Sequence, residues 1–314
     1  MTTTTPEPTT LRLGTRRSPL ALAQSGMMAR ALEAAHPGLR VELVPMVTTG
    51  DVVPGDLAEV GGKGLFTLEL ERALLDGSID LAVHSLKDLP VSLPDGLAVA
   101  AYPERADPRD ALVSEVAADL EGLPEGAVVL TGSLRRRALI LLRRPDLRVE
   151  PLRGNVDTRL RKWRESGAAG VILAAAGLAR LGLRDLPIHP LAPELFLPAP
   201  CQGTLALEVR AGSRAEPLCR ALDHLPTALA AQAERRVVAA FGGDCTLPLA
   251  AWARPALPEN GGLRITALLA TPDGRHAARG EAVGADPAEA ADACVAAMRE
   301  GGADEILARI PKMK

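Results

Sequence analysis

Apolar positions in the first two-thirds of the chain switch repeatedly between two periods. Leu11–Thr15 is a short apolar run, and Ser18-Pro19 then opens a stretch of good helix formers that lasts to Ala35. Ser at the cap, Pro at the first helical position and Pro37-Gly38 as a stop predict a helix between them. Val41–Val47 reads as a strand, Leu65–Leu75 as an amphipathic helix and Ile79–Val83 as the next strand. Between the first two, Thr48–Gly64 holds five glycines and a proline, the composition of a long loop able to act as a lid. Further on, strands at Val128–Leu130, Leu147–Pro151 and Gly170–Ala174 are each followed by a helix, at Leu134–Leu142, Val156–Glu165 and Ala175–Leu181. This rhythm predicts an α/β fold of open, mostly parallel sheets covered by helices. Beyond residue 225 the pattern changes. A helix at Pro226–Ala240 leads into GGDCTLP, then strands at Leu249–Ala253, Leu263–Ala270 and His276–Ala282. A last helix opens on Asp286-Pro287-Ala288-Glu289, a capping-box signal, and runs to Gly301. These elements predict a small, separate α+β domain.

Composition places this pattern in a soluble protein. The 314 residues are 47% hydrophobic and 24% charged, enough for two or three domains with their own cores. MTTTTPEPTT has neither a basic nor an apolar region, so it is expected to be a disordered lead-in and not a signal peptide. No apolar run reaches the roughly eighteen residues that a membrane helix needs. Cys201, Cys219, Cys245 and Cys294 lie far apart, with no C-x-x-C and no histidine at ligand spacing. A reducing, cytoplasmic setting without a metal site is the expectation.

Charge then singles out one region. The whole chain carries a formal −3, yet residues 133–164 hold ten arginines and a lysine against three acids. Nucleic acid, a phosphate ester and a polycarboxylate are the candidate partners. One Tyr, two Trp and three Phe leave few rings for base stacking, and only Trp163 lies near the arginines. VGGKGLF is not a phosphate loop, because Lys63 is followed by Gly64, and no G-x-G-x-x-G follows a strand. A polycarboxylate remains. GTRRSP, LTGSLRR and LRGNVDTR each fall at the carboxyl end of an expected strand, where the next helix presents free N–H groups to an anion. Arg16, Arg135, Arg136, Arg153 and Arg159 sit in these turns, whereas Arg143, Arg144, Arg148, Arg161 and Arg164 are spaced as an outward face. In VHSLKDLP, Asp88 follows a buried strand and precedes a proline, which suits either a turn residue or a catalytic carboxylate. His84 reads as a hydrogen-bonded core residue, and Lys87 as either a surface lysine or an anion ligand.

Several of these segments, in this order, resemble the hydroxymethylbilane synthase (porphobilinogen deaminase) family. They are GTRRSPLALAQ, ELVPMVTTGD with GGKGLF, DLAVHSLKDLP, ERADPRDALVS, SLRRRA, LRGNVDTRL, AAGLARLG, PAPCQG and GGDCTLP. The resemblance runs from about Leu11 to the end. It implies two doubly wound domains like those of periplasmic binding proteins and a third, smaller α+β domain. Domain one would be 1–103 plus 204–224, domain two 104–203 and domain three 225–314. It implies an enzyme, a monomer, that condenses four porphobilinogen molecules with loss of ammonia on a dipyrromethane cofactor, and then releases hydroxymethylbilane to water. By motif, the cofactor hangs from Cys245 by a thioether, and Asp88 stabilises the cation left when ammonia departs. Carboxylate binders carried over by motif are Arg16, Ser18, Lys87, Arg135, Arg136, Arg153, Arg159 and Arg180. The same carry-over has Lys63 of the lid loop reach the growing chain and makes Thr131, Ser133 and Gln202 lesser candidates.

The polypyrrole explains the arginines. Each ring bears an acetate and a propionate, and guanidinium binds carboxylate in a planar fork without losing its proton. Gly132 departs from the family's usual serine, and Cys201 and Asp244 from its usual glycines; Thr246 stands at a permissive position. The rival expectation is a two-domain anion-binding protein of the same fold, which needs neither Cys245 nor Asp88.

Overall fold

The alternation read from the sequence folds into two five-stranded sheets of one topology, followed by a three-stranded sheet. The structure, a computed structural model, describes residues 9–49, 67–242, 247–256 and 261–310. Most of the expected lid loop, the N-terminal lead-in, Lys63, Asp244, Cys245 and Thr246 lie outside these residues.

In the first sheet, β1 (Thr9–Arg16) pairs in parallel with β2 (Leu39–Met46) and with β3 (Leu81–Ser85). The helix between β1 and β2, α1 (Pro19–Ala35), starts as its cap signal predicts: Ser18 Oγ accepts the Ala21 N–H at 3.3 Å. Helix α2 (Leu68–Asp76) packs Leu70 and Leu74 against this sheet and ends on Gly77 in a left-handed turn. The parallel rule then fails. Strand β10 (Leu205–Arg210) runs antiparallel between β3 and β4 (Leu97–Ala101).

The second sheet repeats the plan. Strand β6 (Val128–Leu130) pairs in parallel with β7 (Arg148–Glu150) and β8 (Gly170–Ala174), and β5 (Asp110–Val113) lies antiparallel between β8 and β9 (Ile188–Pro190). Its helices are α3 (Leu134–Arg143), α4 (Val156–Ser166) and α5 (Ala175–Arg180), close to their expected bounds. The chain crosses between the sheets twice, through residues 102–109 and 198–204. Each crossing feeds directly into the antiparallel strand of the sheet it enters, β5 or β10. The carboxyl ends of β3 and β8 therefore lie beside the crossings, with Ser85 opposite Leu205 and Ala174 opposite Asp110.

After a short helix α6 (Ala215–Cys219), α7 (Leu225–Ala240) leads into the antiparallel meander of β11 (Leu249–Pro255), β12 (Leu263–Ala270) and β13 (Ala277–Gly284). Helix α8 (Pro287–Glu300) is capped by Asp286 as expected, and a further short helix, α9 (Ala303–Arg309), follows it. Helices α7 and α8 bury Val237, Ala291, Cys294 and Met298 on one face of this sheet. The other face is also covered: Ala250, Leu268 and Ala270 join Leu139, Phe196 and Leu197 in a core shared with the second sheet. No helix among the described residues is long and apolar enough to cross a membrane.

Candidate active site

Strand β3 ends in a single 3-10 turn, Leu86–Asp88, whose composition decides what it presents. Leu86 and Leu89 are buried, with Leu86 N donating to Thr204 O (3.0 Å) and Leu89 N to Leu86 O (3.1 Å). Of the two charged residues between them, Lys87 is half-buried and Asp88 exposed. Four residues earlier, His84 is a core residue as expected, its Nε2 2.9 Å from Glu208 Oε2.

Opposite this turn lies a buried ionic cluster at the start of α3 and β5. Ser133 caps α3 by accepting the Arg136 N–H at 3.4 Å, and Thr131 Oγ1 accepts the Ser133 N–H at 3.3 Å. Arg135 and Arg136 are only 4% and 5% exposed, so neither is a free surface cation. Both converge on Asp110, which has no exposed surface. Arg136 Nε and Nη2 donate to Oδ1 at 3.0 and 2.7 Å, while Arg135 Nη1 lies 2.8 Å from Oδ2. Their remaining contacts are backbone, Arg135 to Leu197 O and Arg136 to Ile172 O. Gln202 Nε2 also donates to Asp110 Oδ1 (2.9 Å), and its Oε1 accepts from Lys87 Nζ (3.2 Å).

The cluster is not neutral. Two guanidinium groups face one buried carboxylate, which burial opposes but the two arginines hold far below the usual carboxylate range. Burial lowers the Arg135 pKa despite the opposing pull of Asp110. Burial also pushes the Lys87 amine down to about 8; Arg136 and Arg135 add to this fall, and Asp88 and Asp110 resist it. Arg135 Nε is buried with no partner among the described residues. A surplus of positive charge and an unmet donor shielded from water are what a carboxylate would satisfy.

Arg159, in the first turn of α4, belongs to the same neighbourhood. Its Nε donates to Gly154 O (2.7 Å), and its pKa is lowered by burial and by Arg136 against the pull of Asp88. Arg180 closes α5 and reaches Gly203 O (2.6 Å); its Nε is buried without a partner among the described residues, and burial alone pushes the group down to about 10. Arg16 stands half-buried at the end of β1, Ser18 beside it caps α1, and Arg153 is exposed in the turn before α4. Of the arginines expected to point outward, Arg161 pairs with Glu165, and Arg143 with Glu121. Arg144 differs from that expectation. It is half-buried and staples a loop through Leu120 O, Glu121 O and Leu123 O. At Gly132, a Cβ would stand 2.4 Å from Leu152 O, so the family's usual serine does not fit this backbone.

The sequence reading missed the residues that join the parts. Arg105 forms a bidentate pair with Glu234 of α7 (2.6 and 3.1 Å), and its Nε donates to Gln202 O (2.8 Å). The Glu234 carboxylate also accepts the Cys201 N–H and, at 2.7 Å, the Ala253 N–H. One buried acid thus holds both crossings and the third sheet. Cys201 adopts φ 61°, the left-handed region, which explains why glycine is usual there. Its thiol is buried, and burial followed by Glu234 raises its pKa far above the ordinary range, so it is no reactive second thiol. Gly203 (φ 87°) is obligatory in a second way, because a Cβ would lie 2.5 Å from Ala106 O.

Comparison with known proteins matches residues 11–216 to the family model described as porphobilinogen deaminase, dipyromethane cofactor binding domain. Residues 228–300 match the model of the porphobilinogen deaminase C-terminal domain. The porphobilinogen deaminase of Ralstonia nicotianae is 49% identical over 310 residues, spanning 96% of this chain and 92% of the relative. That of Acidithiobacillus ferrooxidans is 47% identical over 302 residues, spanning 96% and 98%. Among solved structures, the methionine-binding protein MetQ aligns over 68% of this chain and 89% of its own, with 15% identity and a TM-score of 0.42, too loose a likeness to carry an argument. With nearly the whole chain matched at close to half identity, and two family models in sequence along it, this chain belongs to the porphobilinogen deaminase family.

Proposed function

We propose that the chain is the transferase that condenses porphobilinogen, with loss of ammonia, onto a dipyrromethane held by a thioether at Cys245, and then releases hydroxymethylbilane to water. The observation that carries this reading is the buried Arg135–Arg136–Asp110 cluster, with its surplus positive charge and unmet Arg135 Nε, set against the Lys87–Asp88 turn. When bound, the dipyrromethane supplies the pyrrole carbon to which each new unit is added. Arg135, Arg136, Lys87 and Ser133 would hold its side-chain carboxylates, with Thr131 and Arg153 flanking them. Arg16, Ser18, Lys63, Arg159, Arg180 and Gln202 would serve those of the incoming substrate. Asp88, the exposed acid of this turn, would accept hydrogen bonds from pyrrole N–H groups and stabilise positive charge on the substrate as ammonia leaves.

Cysteine chemistry supports Cys245 as the tether. Cys201, Cys219 and Cys294 are all buried, and burial pushes Cys219 up to about 12 and Cys294 up to about 11. None of these three offers an accessible thiolate. The proposal includes the three-part division into 1–103 with 204–224, 104–203 and 225–314, which the pairing of β10 with β3 and β4 supports. It also includes monomeric operation in the cytoplasm, with which reduced, buried cysteines agree. A module that only binds anions would leave Cys245 bare.

The test is intact-mass analysis of the purified chain with peptide mapping. An adduct of two linked pyrroles on the Cys245 peptide, reacting with an aldehyde reagent for pyrroles, is expected. A bare thiol that stays bare after incubation with porphobilinogen would overturn the reading. In the same assay, Asp88→Asn should keep the adduct and lose most turnover.

A further inference from the structure

The turn that presents Asp88 is held from the far side by α7. Ala231 packs against Leu86, Leu89 and Cys201, so the apolar flanks of the turn rest on this helix. One helical turn later, on the same face, Arg235 reaches the chain just past Asp88. Its Nη2 donates to Pro90 O (2.6 Å) and Val91 O (2.8 Å), and its Nη1 to Leu89 O (3.3 Å). This segment forms no regular element, and Pro90 has no N–H of its own to contribute. A half-buried guanidinium therefore spends its planar fork on three consecutive carbonyls, with no carboxylate among the partners these bonds give it. The neighbouring residue, Glu234, fixes the same helix to both crossings.

We propose that Arg235 is a positioning residue for Asp88: by clamping the carbonyls of Leu89, Pro90 and Val91 to α7, it sets where the carboxylate stands relative to Arg136 and Arg159. The inference rests on the reading of Asp88 as the group that stabilises charge during ammonia loss. Its physical basis is that small displacements of a reacting group cost large factors in rate. Nothing in the clamp touches the carboxylate-binding arginines directly, so substrate affinity should be spared.

Three variants of the full, cofactor-bearing chain test this: Arg235→Met, Asp88→Asn and the double substitution. Cofactor loading is checked by mass, and kcat and KM for porphobilinogen are read separately. Arg235→Met should lower kcat roughly tenfold or more with KM within about twofold. The double variant should be no slower than Asp88→Asn alone, because Arg235 acts only through that carboxylate. Losses that multiply in the double variant, or a kcat for Arg235→Met within about twofold of the parent, would sink the proposal while leaving the Asp88 reading intact. Full turnover by Asp88→Asn would overturn that reading, and this one with it. Should Arg235→Met not fold, Arg235→Lys, which keeps the charge but reaches fewer carbonyls, is read by the same criteria.

Discussion

Replacing Asp110 by Asn is the sharpest probe of the buried cluster. The substitution keeps the shape of the side chain and removes one charge. In the parent, Asp110 has no exposed surface and takes contacts of 2.7 to 3.0 Å from Arg135, Arg136 and Gln202. The Asn oxygen can still serve Arg136 and Gln202, but its NH2 then faces the Arg135 Nη1 donor, and two buried guanidinium groups lose their only counter-charge in this contact. Removing one partner of a buried ion pair costs about 3–5 kcal/mol. That is a large share of the roughly 5–15 kcal/mol by which domains are stable. It corresponds to a fall in Tm of roughly 6–20 °C for a cooperative unit of about 150–250 residues. The assay is thermal unfolding followed by circular dichroism, at several pH values and salt concentrations. Because the folded pKa of Asp110 is depressed, its stabilisation is present in full above the unfolded value of about 3.9 and is lost as pH falls towards the folded one. The gap between parent and variant should therefore be constant across neutral pH and close only in strong acid. Salt should not close it, since the pair is shielded from counter-ions. A neutral-pH difference under about 1 kcal/mol would refute the account of Asp110 as the keystone of the arginine cluster.

Other expectations follow from single residues. Lys87 should lose its charge as pH rises through about 8 and with it part of the hold on the cofactor carboxylates, so kcat should fall above that pH in the parent and lose this step in Lys87→Gln; a titration of the 13C-methylated amine reads the same event. Gly203→Ala adds a Cβ 2.5 Å from Ala106 O at φ 87° and should destabilise the chain by about 1–3 kcal/mol in denaturant unfolding. Cys201→Gly relieves a left-handed backbone strain of about 1 kcal/mol and should keep both fold and turnover, whereas the β-branched Cys201→Val should melt earlier than the parent. Gly132→Ser should lower stability despite restoring the family's hydroxyl, because its Cβ meets Leu152 O.

The longer helices were the legible part of the fold, whereas the short α6 and α9 were not read. Ser18-Pro19, Ser133, Asn155 and Asp286 carry cap signals that act within a few residues, and each helix begins where they stand. The strands that escaped were β4, β5, β9 and β10. Strand β9 is three residues long and includes a proline, while β5 and β10 each carry an acid that looks exposed in sequence. Asp110 and Glu208 are in fact buried against Arg136 and His84, partners distant along the chain. The same blindness hid Glu234, which reads as one charge on a surface helix and proves to be fully buried. Arginines could be found by their density. The acids that bury them could not, because a lone Asp or Glu has no local signature of its partner. Cys201 was visible as an oddity in the motif, and only its φ supplied the reason.

Glu234 has a mechanical consequence. Its two oxygens receive Arg105 from one crossing, the Cys201 amide from the other and the Ala253 amide from the last sheet. If the two large lobes swing apart, they must do so around this carboxylate, as jaws turn on a pin. Helix α7 does not ride free of the jaws: Arg235 and Ala231 tie it to the turn after β3 in the first lobe, and the sheet it leads into shares a core with the second. Any such swing is therefore taken up at the turn after β3 or at the seam beneath the last sheet, and the pin alone does not carry it.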